Sequence, residues 1–158
     1  MHPDTTRMTP LAALENAELM EFGERAGKFL NGFPWCRKIV QGHLAYGVEG
    51  VIGVFLFRIE PAKVEVDDSL WVVVGDLPSA YLVCDDAPDW RGALEGYVDQ
   101  MRRWVDAVRA GESLDDIIPV SAEPTAQHAD MLAGRLDFIE RYLIGDEISA
   151  SEPPSTPK

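Results

Sequence analysis

Between residues 39 and 84 the sequence carries four apolar runs joined by three short connections, and this spacing is what most constrains the fold. Parallel neighbours need crossovers of a dozen residues or more, so runs joined this closely must pair as an antiparallel meander. The runs predict strands near 39–47, 51–60, 70–75 and 80–84. In the first, Val40, Leu44 and Tyr46 are read on one side and Gln41 and His43 on the other. The second, residues 51–59 (VIGVFLFRI), is apolar on both sides for most of its length, so both faces must be covered, by helices or by another subunit. The last two flank Gly75-Asp76-Leu77-Pro78-Ser79, a turn with a mechanism: glycine admits positive φ, aspartate bonds local backbone and proline fixes φ.

Helical periodicity brackets the strands. Thr9-Pro10 reads as a cap and first helical residue, and Leu11, Leu19, Phe22, Ala26, Phe29 and Leu30 fall on one face of a helix over 10–31. Asp89 caps a helix over 89–110, whose apolar positions Trp90, Leu94, Tyr97, Val98, Met101, Trp104, Val105 and Val108 follow the 3.6 period, and Gly111 closes it. Same-face pairs Asp99–Arg103 and Arg102–Asp106 add to that helix. A last helix over 124–144 turns Met131, Leu132, Leu136, Phe138, Ile139 and Leu143 inward, with Gly145 ending it. Strands grouped in the middle and helices at the ends make an α+β chain: a meander of about four strands flanked by one N-terminal and two C-terminal helices. The expected organisation is a flexible stretch 1–8, a single domain 9–146 and a disordered tail 147–158, SASEPPSTPK having no bulk to bury.

Charge restricts the partners. With 27 acidic against 14 basic residues the net charge is −13, a field that repels phosphate backbones and anionic membranes and suits a basic protein partner. No apolar run approaches the roughly 20 residues of a membrane span. Two isolated cysteines, Cys36 and Cys84, form no disulfide framework, and the chain reads as cytoplasmic with reduced thiols. His2, His43 and His128 lack ligand spacing, acid pairs such as Asp67-Asp68 and Asp115-Asp116 splay into water, and no nucleophile elbow surrounds Ser79, so neither metal nor cofactor is expected.

The candidate functional positions are few. Asp76 and Tyr81 stand at the two ends of the 75–81 turn, with Trp71 on the strand before it. Trp71, Trp90, Trp104, Tyr81 and Tyr97 either line an apolar pocket or fill the core. Arg58 breaks the apolar pattern of its strand and is placed to meet Asp76. Glu15 and Glu18 fall on the apolar side of the first helix and Arg135 on that of the last, and buried charges of this kind require a partner or a cleft, so Arg135 is expected to pair with one of these acids.

The run LWVVVGDLPSAYLVCDD, followed by ALEGYVDQMRRWVDAV and SLDDIIPV, resembles a group of small bacterial proteins of unknown function. The resemblance covers residues 51–144, with VGDLPSAYLV as its most specific piece. It implies a bacterial cytosolic α+β protein in which Gly75, Asp76, Pro78 and Tyr81 form a recurring unit, and it carries no activity to any residue. The chemistry and charge together favour a non-enzymatic acidic interaction module that binds a protein partner. The alternatives are a small-molecule-binding protein or enzyme with its site at the 75–81 turn and the 90–104 helix, or a structural homodimer covering the two-sided strand.

Overall fold

A computed structural model describes residues 3–64, 68–118, 120 and 122–144; the expected tail 147–158, the stop at Gly145 and the acids Glu65 and Asp67 lie outside them. The architecture is α+β: five antiparallel strands that neighbour one another in chain order, with one long helix between the first and second strands and two helices after the fifth. The chain divides into two compact units, Met1–Ala93 and Leu94–Lys158.

In the first unit, β1 (Thr9–Pro10) is followed by one 3₁₀ turn, Leu11–Ala13, and by α1 (Ala17–Asn31). The expected helix start at Thr9-Pro10 is corrected: Pro10 has extended dihedrals (φ −58°, ψ 146°), and this segment pairs with β2. Proline lacks a donor and is tolerated on an edge strand, and a competing cap exists downstream, where the Asn16 side chain accepts from the Leu19 N–H at 3.0 Å. Glu15 therefore precedes the helix and Glu18 sits in its first turn, both exposed. Neither is a buried acid on an inner face, and the premise for pairing them with Arg135 is withdrawn.

Strand β2 (Cys36–Val48) pairs with β3 (Ile52–Pro61), β3 with β4 (Ser69–Gly75) and β4 with β5 (Leu77–Val83). The β2–β3 register slips between Cys36 and Lys38, between Ile39 and Gln41, and between Leu44 and Tyr46. Each bulge adds a residue to β2 and restarts its alternation. Ile39 and Leu44 consequently pack on the α1 side, Gln41 and His43 point to the other face, and Val40, at a bulge, is 54% exposed. Tyr46 belongs with the second face, where its ring stacks on Trp90 at 3.9 Å, and not with Leu44 as the loose alternation suggests.

The α1 side holds a core of Phe22, Ala26 and Leu30 against Phe55, Phe57, Ile59, Leu70, Val72 and Val74. On the opposite face Ile52, Val54, Leu56, Trp71, Val73 and Ala80 are also buried. The Trp71 indole N–H is satisfied by the Ala87 carbonyl at 2.8 Å.

The β4–β5 connection is tighter than the expected five-residue turn. Gly75 pairs with Leu77, and residues 77–79 belong to β5, leaving Asp76 as the corner. Gly75 has φ +151°, and a β-carbon there would lie 2.2 Å from the Val51 carbonyl oxygen, a clearance only glycine allows. The Asp76 N–H donates to that same oxygen at 3.0 Å, and Arg25 of α1 donates to the Gly75 carbonyl at 2.9 Å. Pro78 is accommodated because β5 is an edge strand.

Helix α2 (Trp90–Ala110) begins as predicted, with Asp89 accepting from the Gly92 N–H at 2.8 Å, and closes at Gly111 with φ +70°. In the second unit, α3 (Ala126–Phe138) is capped by Thr125 and runs into a π-helical turn, Ile139–Ile144. Arg102 of α2 reaches Asp137 at 2.7 Å and Glu140 as well, and Arg109 reaches Asp130 at 2.8 Å. These inter-helix pairs take the place of the expected Arg102–Asp106 pair.

Candidate functional site

The sheet separates the residues that the sequence grouped. Tyr81 is opposite Val72 and lies on the α1 face, where it meets Phe33 and Trp35 edge-on at 5.3 and 5.1 Å while Phe33 stacks on Trp35 at 4.9 Å. This half-buried group closes the corner between α1 and β2, and each aromatic pair adds about 0.5–1.5 kcal/mol beyond area burial. Trp71 occupies the other face and is fully buried. Asp76 is exposed at the corner beside Ile52, whereas Arg58 is opposite Ser69 at the far end of β3. Arg58 is six steps along β3 from Ile52, about 20 Å at strand rise, so the expected Arg58–Asp76 pair is not formed.

Arg58 instead lines a cavity of about 140 Å³ with Pro3, Thr5, Gln41, His43, Leu56 and Ser69. The strand register builds it. Gln41, Arg58 and Ser69 form one cross-strand row, and His43 and Leu56 belong to the next row on the same face. Pro3 and Thr5 supply a wall from the segment ahead of β1. Ser69 is the buried polar residue of this row, at 5% exposure. Among the described residues, no hydrogen bond or ion pair engages the side chains of Gln41, His43 or Arg58. Asp4, between the two wall residues, is turned to its own loop: it accepts from the Thr6 N–H at 3.0 Å and hydroxyl at 2.8 Å, which holds its carboxyl below the usual range. The sequence flagged Arg58 from its break in the pattern. Gln41, His43 and Ser69 became legible only with the bulges and the register.

The second unit presents a different feature. Ala129, Leu132, Ala133, Leu136, Ile139 and Leu143 are buried, but Met131, Phe138 and Tyr142 are 48%, 40% and 51% exposed. The inward placement of Met131 and Phe138 is therefore corrected. Their spacing of seven, with Tyr142 four further, is itself helical and defines a second apolar stripe on the outer side of the helix. The Phe138 and Tyr142 rings lie 5.2 Å apart. Arg135 lies between Met131 and Phe138 in sequence, half-buried, and donates to the Met131 carbonyl at 3.3 Å. Exposed Asp130, Asp137 and Glu140 turn instead to Arg109 and Arg102 of α2. The pairing with Asp137 and Glu140 holds the Arg102 guanidinium above its ordinary pKa.

Cys36 and Cys84 are buried and unbridged, and burial pushes the Cys36 thiol up. Among the described residues, no three His, Cys, Asp or Glu side chains come together as a metal-holding group, and no helix is long and apolar enough to cross a membrane. Comparison of the chain with protein-family models, with curated proteins and with solved structures finds no match.

Proposed function

We propose that the chain is an acidic interaction module that docks a basic protein partner through the outer face of α3 and the turn following it. The observation that carries the reading is the exposed stripe of Met131, Phe138 and Tyr142. Half-exposed side chains of this size leave roughly 100 Å² each, about 300 Å² together, which is the scale of functional patches on monomers. Aromatic anchors of this kind dominate interface energetics when a pocket receives them. Charge selects the occupant: the chain carries −13 overall, so a second copy is repelled where a basic surface is attracted. The reading takes the chain to work in a reducing, cytoplasmic setting, in line with its two unbridged cysteines.

The test is affinity purification from source cells with the wild type and with a Phe138→Ser/Tyr142→Ser variant. The recovered protein is then recombined with purified chain and measured by calorimetry at two salt concentrations. The expected partner is basic, binds more weakly at higher salt and loses at least about 100-fold on the double substitution. Undiminished binding by a folded variant overturns the reading. So does a stable wild-type dimer by light scattering that dissociates on the same substitutions.

A further inference from the structure

The second face of the sheet, at the end where β3 leaves and β4 begins, carries a site independent of the α3 stripe. We propose that the cavity around Arg58 binds a small aliphatic monocarboxylate. The guanidinium is a planar fork that matches a carboxylate with two parallel hydrogen bonds, and among the described residues no acid occupies it. Gln41 and Ser69 flank it in the same cross-strand row, supplying further polar groups around the head of the ligand. Leu56 lies two residues along β3 on the same face, about 7 Å away at strand rise, and forms with Pro3 an apolar surface for the tail.

Size restricts the ligand further. The cavity measures about 140 Å³, close to the roughly 150 Å³ that accommodates a molecule of six heavy atoms such as benzene. A four-carbon carboxylate has six heavy atoms and spans the distance from the Arg58 row to the Leu56 row. Drug-sized pockets are several times larger, so a nucleotide or peptide would extend well beyond this one.

The experiment titrates isotope-labelled full-length chain with sodium acetate, propionate and butyrate at constant ionic strength, following the amide signals of Gln41, His43, Arg58 and Ser69. Saturable shifts confined to these residues are expected, with affinity rising about fourfold for each methylene that reaches the apolar wall. Arg58→Gln removes binding, and Arg58→Lys, which keeps the charge but loses the fork, weakens it at least tenfold. Arg58 is exposed, so both variants are expected to fold, and their amide spectra verify this in the same measurement. Butylamine serves as the uncharacteristic-charge control and gives no shifts. Absence of saturation, equal affinity along the carboxylate series, or inorganic phosphate binding as tightly as butyrate overturns the proposal. None of these outcomes bears on the α3 stripe.

Discussion

Replacing Gly75 by alanine tests the tightest point of the sheet. The added β-carbon would lie 2.2 Å from the Val51 oxygen and 2.8 Å from the Ile52 α-carbon, both backbone atoms of a neighbouring segment that cannot rotate away. The φ of +151° is itself costly for any residue with a side chain, by about 1–3 kcal/mol. Moving the corner far enough to relieve the clash breaks the Asp76 N–H bond to Val51 and draws the Gly75 carbonyl away from Arg25, each worth about 1 kcal/mol net. Gly75→Ala should therefore lose about 4 kcal/mol, a large part of a typical domain's 5–15. Urea unfolding followed by tryptophan fluorescence measures it. Two controls separate the causes. Gly111 has φ +70° with nothing within 4 Å of its would-be β-carbon, so Gly111→Ala isolates the backbone term at about 1–2 kcal/mol. Gly134 lies inside α3 with the same open space, and Gly134→Ala should stabilise by up to about 1 kcal/mol. If Gly75→Ala costs no more than Gly111→Ala, the close approach to Val51 does not exist in solution and the reasoning fails.

Two further outcomes follow from charge and burial. Burial pushes the Tyr97 phenol far above its ordinary value. A raised folded pKa favours the protonated folded state, so this stability is complete below the unfolded value near 10 and declines as pH rises beyond it, by up to about 1.4 kcal/mol per unit. Urea melts between pH 9 and 11 should show the decline in the wild type and a shallower one in Tyr97→Phe; equal slopes would contradict it. Arg102→Met removes the ties to Asp137 and Glu140. Because both acids are well exposed, the loss should be about 1 kcal/mol and should shrink at high salt; an equal loss at both salt levels contradicts the electrostatic account.

The α+β order was legible because hydrophobic period and connection length are local properties: α2 carries its apolar face, the Asp89 cap and the Gly111 stop within its own residues. What the sequence hid depends on partners distant along the chain. Pro10 reads as a helix start until β2 is alongside to make it an edge strand. Val40 and Tyr46 follow the alternation of Leu44 until the bulges shift them. Arg58 stood out by chemistry, but its neighbours Gln41 and Ser69 come from two other strands, and only the register names them. In α3, two apolar stripes on one helix, 132/136/139/143 and 131/138/142, merged into one because periodicity reports that residues share a face and not which face is covered.

The corner at Asp76 has a consequence for amide exchange. The residue is exposed, yet its N–H is held by an oxygen that precedes β3 by one residue. Loss of the Gly75–Leu77 pairing does not by itself release this proton; the corner must also lift off Val51. It should therefore exchange more slowly than an unbonded turn amide at the same surface position. Asp76 thus reports on the separation of the β4–β5 corner from the start of β3, as a residue at the tip of an ordinary two-strand ribbon would not.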